Sequence, residues 1–122
     1  MKGRYADAAG DDGRSPSILR TERGRKIVFL VLTTYIKSLS EIERFLPDHS
    51  AHLDRCYGMG KLIVSGRLEP RTGGFMLFDV STREEVLAIL DCDPFKRNAC
   101  LDYRILELIP TKHAPEFGPF VH

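Results

Sequence analysis

The longest block of apolar positions, Lys26 to Tyr35 (Lys-Ile-Val-Phe-Leu-Val-Leu-Thr-Thr-Tyr), is rich in β-branched and aromatic residues on both alternating sets. A strand that is apolar on both sides is covered on both faces, so this segment reads as the central strand of a sheet. Downstream, Ser38 or Ser40 can cap a short helical turn over Glu41 to Leu46, and Pro47 suits the first position of a fresh helical segment. Leu46, His49, Leu53, Cys56 and Gly60 then recur at alternating steps of three and four. That spacing puts them on one helical face, with His49 inside the apolar stripe. Gly58 and Gly60 close this helix, and Lys61 to Leu68 reads as a second strand in which Gly66 marks a bulge or a close backbone approach.

Glu69-Pro70-Arg71-Thr72-Gly73-Gly74 supplies turn residues, and Phe75 to Val80 is a strand antiparallel to the one before it. Ser81-Thr82-Arg83-Glu84 matches a capping box, which predicts a helix to about Leu90 with Val86, Leu87 and Leu90 on its apolar face. Asp93-Pro94 opens a short helical turn to about Ala99, and Asp102 to Ile109 alternates as a last strand that Pro110 stops. The order β-α-β-β-α-(short α)-β predicts an α+β fold: a ferredoxin-like βαββαβ sandwich, with a four-stranded antiparallel sheet carrying its helices on one face. The strands are too apolar to leave the other face in water, so pairing of two copies through it is expected.

A chain of 122 residues with 43% hydrophobic content fills one core and leaves no room for a second domain. Residues 1–24 are dominated by Gly, Asp, Ser and Arg, bury too little to offset the entropy of ordering, and read as a flexible extension. The domain occupies residues 25–110. The tail over 111–122, with Pro115, Pro119, Phe117 and Phe120, is expected to be extended. Lys and Arg number 18 against 17 Asp and Glu, without a basic stripe, which argues against nucleic acid or anionic lipid as a partner. The unbroken apolar stretch Ile27 to Leu32 is far short of the roughly 20 residues a membrane span needs, and the N-terminus lacks the apolar core of a secretory signal. Cys56, Cys92 and Cys100 are an odd set without C-x-x-C spacing, which fits reduced thiols in the cytoplasm better than a disulfide framework or zinc ribbon.

Candidate chemistry centres on Asp93-Pro94-Phe95 and His49. A histidine on an apolar helix face needs a hydrogen-bond partner, and Asp93 would orient its ring and fix its tautomer for acid/base work. The alternatives are a structural histidine bonded to a backbone carbonyl and an aspartate that merely caps the helix begun by Pro94. Phe95 serves as core or as an apolar pocket wall. His49, His52 and Cys56 lie three and four apart, but this is an incomplete ligand set, so no metal is expected. Tyr35, Ser65 and Arg67 are lesser candidates at strand ends. Gly73-Gly74 lacks the lysine and helix of a phosphate loop and reads as a turn.

Taken in order over residues 26–110, these segments resemble the YCII-related (YciI-like) domain family of the dimeric α+β barrel group. The carriers are the opening Val-Phe-Leu-Val-Leu-Thr strand, His49-Ser-Ala-His-Leu53, Gly60-Lys-Leu-Ile-Val-Ser-Gly66, Asp93-Pro94-Phe95 and the closing Tyr-Arg-Ile-Leu-Glu-Leu strand. The resemblance implies a dimeric α+β barrel and a His-Asp active site that falls on His49 and Asp93. It also implies a pocket lined by Ser65 and Gly66, with Pro94 and Phe95 as its wall. Arg67 departs from the family's usual Gly-Pro at this point. No cofactor is implied. Enzymatic relatives imply proton transfer, isomerisation, lyase or dehydrohalogenation chemistry on small oxygenated or aromatic rings. Three readings stay open: a cofactor-independent enzyme, a small-ligand binding or sensing module, and a structural homodimer or higher homo-oligomer.

Overall fold

Four strands, β1 (Val28–Tyr35), β2 (Leu62–Arg67), β3 (Gly73–Phe78) and β4 (Leu101–Leu108), form one antiparallel sheet in the order β2-β3-β1-β4. The structure, a computed structural model, describes residues 26–121, so the extension expected over 1–24 lies outside the described residues. The most apolar strand is central, paired to β3 on one side and to β4 along its whole length on the other. The expected barrel does not form. Strands β2 and β4 are the two edges of an open sheet and do not pair with each other. Neighbouring strands rotate by only about 20–25°, so four of them span too little arc to close.

Helix α1 (Leu39–Gly58) begins at Ser38, whose Oγ accepts the Glu41 N–H at 3.3 Å. It runs unbroken through Pro47, where two segments were expected. Pro47 is exposed and lacks one helical donor, but Ile42 on one side and His52 and Cys56 on the other are buried, and this tertiary anchoring outweighs the local break. The helix stops at Gly60, which takes φ 72° while the Lys61 N–H reaches back to the Cys56 carbonyl at 3.0 Å.

Helix α2 (Arg83–Asp91) is capped one residue later than the Ser81 pattern suggested. Thr82 Oγ1 accepts the Glu85 N–H at 3.1 Å, and the Glu85 carboxylate accepts the Ser81 N–H at 3.3 Å. Val86 and Leu90 are buried, whereas Leu87 is 37% exposed and Ile89 packs on the core instead. A short helix α3 (Pro94–Arg97) leads into β4. Phe29, Val31, Met76 and Phe78 from the sheet pack on Cys56, Val86 and Leu90 from α1 and α2. Each fully buried side chain of this kind contributes about 1.5–3 kcal/mol. A second cluster, Ile42, Phe95, Cys100 and Leu101, joins α1 to α3 and the start of β4.

Gly73 and Gly74 belong to β3 and not to the turn. A Cβ on Gly73 would lie 1.9 Å from the Thr33 carbonyl oxygen, so the tight β1–β3 approach requires glycine there. The tail is not extended throughout: Pro115–Phe117 is a 3-10 turn and α4 (Gly118–Val121) a single helical turn. Its Phe117 and Phe120 rings meet edge to face at 5.9 Å. They border a hollow of about 320 Å³ beside Val28, Leu77 and Leu108. Among the described residues no helix is long and apolar enough to cross a membrane.

Candidate active site

Asp93 sits in the joint between α2 and α3. Its carboxylate caps α3, with Oδ1 accepting the Phe95 N–H at 2.9 Å, and Pro94 fills the first helical position, where no N–H is needed. The same oxygen accepts the His49 Nδ1–H at 2.8 Å from the middle of α1. Asp93 is 1% exposed and the His49 side chain 14%. A carboxylate oxygen accepts, so Nδ1 carries the proton of this bond, and in the neutral ring Nε2 is then the nitrogen with the lone pair. The Phe95 ring stacks on the imidazole with centroids 4.0 Å apart and planes 15° apart, and Tyr35 meets Phe95 edge to face at 6.3 Å. Each residue of the tripeptide therefore acts on His49: Asp93 holds its nitrogen, Phe95 flanks its face, and Pro94 fixes the turn that places both.

His52, one turn further along α1, is 5% exposed and turns away from this pair. Its Nε2 lies 3.9 Å from Cys56 Sγ. Burial is the main reason its pKa lies below the ordinary histidine value, with the nearby Asp93 charge opposing and the charges of His49 and Arg55 adding to the effect. Burial likewise pushes the Cys56 thiol up, followed by the Asp93 charge. Among the described residues no group of three His, Cys, Asp or Glu side chains is disposed to hold a metal ion.

His49 lies in the wall of a cleft of about 330 Å³ between α1, the sheet and the β2–β3 turn. That volume is at the small end for sites that take small molecules. Its polar lining is Thr33, Tyr35, Ser50, Ser65, Arg67 and Arg71 together with His49, and its apolar lining includes Leu46, Leu53, Met76, Phe95 and Leu101. Of the residues singled out in the sequence, His49, Ser65, Gly66, Arg67, Tyr35 and Phe95 meet here, while Asp93 and Pro94 stand behind the wall. Ser65 Oγ lies 2.7 Å from the Tyr57 hydroxyl. Gly66 faces the Phe75 ring, which is 2.9 Å from where a Cβ would stand, so this position lines the cleft with backbone alone.

Sequence reasoning missed Arg71, which it placed only in a turn. Its Nη1 donates to Glu43 of α1 at 3.0 Å, the Tyr35 side chain interacts with the guanidinium, and its Nε is buried without a hydrogen-bond partner among the described residues. Turn, helix and strand residues 71, 43 and 35 have no common spacing, so only the fold brings them together.

No curated protein matches the chain. Among solved structures it is similar to 5-chloro-2-hydroxyhydroquinone dehydrochlorinase (TftG) from Burkholderia phenoliruptrix AC1100, in complex with 2,5-dihydroxybenzoquinone. The TM-score is 0.59 at 20% identity, over 73% of this chain and 97% of that one, a likeness of fold. The YCII-related domain model matches residues 27–109, the whole of the sheet and the helices that carry the His-Asp pair. The chain therefore belongs to the YCII-related domain family.

Proposed function

We propose that the protein is a cofactor-independent enzyme that moves a proton on a small oxygenated or aromatic ring, with His49 as general base and Asp93 as its positioning residue. The observation that carries this reading is the 2.8 Å bond from His49 Nδ1 to a buried carboxylate, which leaves Nε2 as the nitrogen to receive a proton in the cleft. In the reaction, Nε2 removes a proton from an acidic C–H or O–H of the substrate, and the Asp93 carboxylate stabilises the imidazolium that results. The Ser65 hydroxyl and the backbone at Gly66 hold a substrate oxygen as charge develops on it. Phe95, on the turn set by Pro94, keeps one side apolar, while Tyr35 and Arg67 border the opening. Returning the proton elsewhere gives isomerisation, and loss of a leaving group gives a lyase or dehydrohalogenase.

The solved relative is named for a chlorinated hydroxyhydroquinone, which is a fitting first probe here, beside hydroxylated quinones and lactones. His49→Gln is expected to lower turnover by about 10²–10⁴-fold and to remove one limb of the pH–rate profile. Asp93→Asn retains a good helix cap and is expected to lower turnover while the protein stays folded. A His49→Gln protein that turns over its best substrate at the unaltered rate would falsify the reading. Saturable binding without turnover by the intact protein assigns the cleft to a binding or sensing module instead. We also infer a homodimer joined through the apolar sheet face, and a cytoplasmic setting that suits three free cysteines.

A further inference from the structure

The charge of the cleft is one-sided. Its lining holds His49, Arg67 and Arg71 and, among the described residues, no carboxylate. Asp93 is buried behind His49, and Glu43 holds Arg71 without joining the lining. Two arginines in the lining, with the carboxylates of Asp93 and Glu43 outside it, favour an anion inside the space.

Arg71 is tied to α1, where Glu43 takes Nη1 at 3.0 Å, and the Tyr35 side chain interacts with the same guanidinium. Its Nε is buried without an acceptor among the described residues, while the side chain as a whole stays 22% exposed, so an anion in the cleft meets the guanidinium's charge and not this nitrogen. The planar edge of a guanidinium matches a carboxylate in shape and charge. The apolar part of the lining, Leu46, Leu53, Met76 and Phe95, suits a ring.

We propose that Arg71 is the specificity-determining residue of this cleft, its guanidinium receiving the carboxylate of a small monoanionic ring compound whose ring lies on the apolar lining beside His49. This rests on reading the cleft as a substrate site and names the class of substrate it takes. Arg67, exposed at the opening, draws the anion in. Glu43 competes with it for the guanidinium and sets how tightly it is held.

The test is calorimetric titration of the full chain with benzoate and with benzamide, which share a ring and differ in charge. Benzoate is expected to bind at least about tenfold more tightly, and Arg71→Gln is expected to bring the two within about twofold of each other. Glu43→Gln, at an exposed helix position that does not depend on Arg71 folding correctly, is expected to tighten benzoate binding about two- to threefold by removing the competing carboxylate. Equal affinities for the two probes in the unaltered protein, no benzoate binding at all, a gap that survives Arg71→Gln, or unchanged or weaker benzoate binding in Glu43→Gln overturns the proposal. The dyad is judged on a separate readout, the pH limb that belongs to His49, so either idea can fail while the other stands.

Discussion

Asp93 Oδ1 accepts from both the Phe95 amide and the His49 ring, so a single atom joins a helix start to the candidate base. The tripeptide read alone suggests only a cap, and the cap is real; the pairing with His49 depends on α1 passing over α3, which no local spacing encodes. Choosing His49 over His52 was within reach of the resemblance, yet the physical reason is visible only in three dimensions: one ring faces the cleft and the other is packed against Cys56. His52 makes its own prediction. Because burial, above all, holds its pKa below the ordinary 6.5, the unfolded chain takes up a proton that the folded chain refuses once the pH drops below that value. Stability is therefore expected to fall as the pH drops through the ordinary 6.5 and to level only where folded His52 itself titrates. Urea unfolding across that range should show a shallower decline for His52→Gln; an identical slope in the two proteins would count against a buried neutral imidazole.

Element boundaries were legible where capping chemistry is local and illegible where tertiary contacts overrule it. Gly60 ends α1 as its sequence suggests, but Pro47 fails to start a new helix because Ile42 and Cys56 anchor the turns on either side. Thr82 displaces Ser81 as the cap since the two hydroxyls are adjacent and either can serve. The end of α3 shows a local compromise. Ala99 takes φ 54°, with its N–H on the Lys96 carbonyl at 3.0 Å and the Cys100 N–H on the Phe95 carbonyl at 2.8 Å, a closing pattern that favours glycine. A side chain in that conformation costs about 1 kcal/mol, so Ala99→Gly is expected to raise stability by about 0.5–1 kcal/mol. Chemical denaturation measures this directly, and a loss of stability would mean that Gly's extra freedom in the unfolded chain outweighs the relief.

Across the molecule, the apolar run of β1 marks it as the central strand, and the β-α-β-β-α-β order predicts the four-stranded antiparallel sheet that forms. What alternation cannot supply is closure, since edge strands are defined by pairing and not by composition; β2 and β4 remain edges. The face away from the helices carries Leu30, Leu32, Phe75, Leu77 and Leu106, placed together by the strand register. Val64, opposite Leu77, is 40% exposed at the margin of that face. The inferred homodimer makes Val64→Lys a surgical probe: a charge there costs the single chain little but would be trapped between two copies. Sedimentation velocity should then show a dimer for the unaltered chain and a smaller species for Val64→Lys, and equal sedimentation of the two would remove this face from consideration.

The close approach that forces glycine at position 73 has a consequence for how this site can diversify. At Gly74, next in β3 and part of the lining, a Cβ would lie 2.6 Å from the Gly66 carbonyl oxygen, so this patch of the sheet side admits no side chain. The helical side is different: Leu46 and Ser50 line the same space from exposed positions on α1. Variation in which rings the cleft admits therefore has room on the helix, around His49, and none at these glycines.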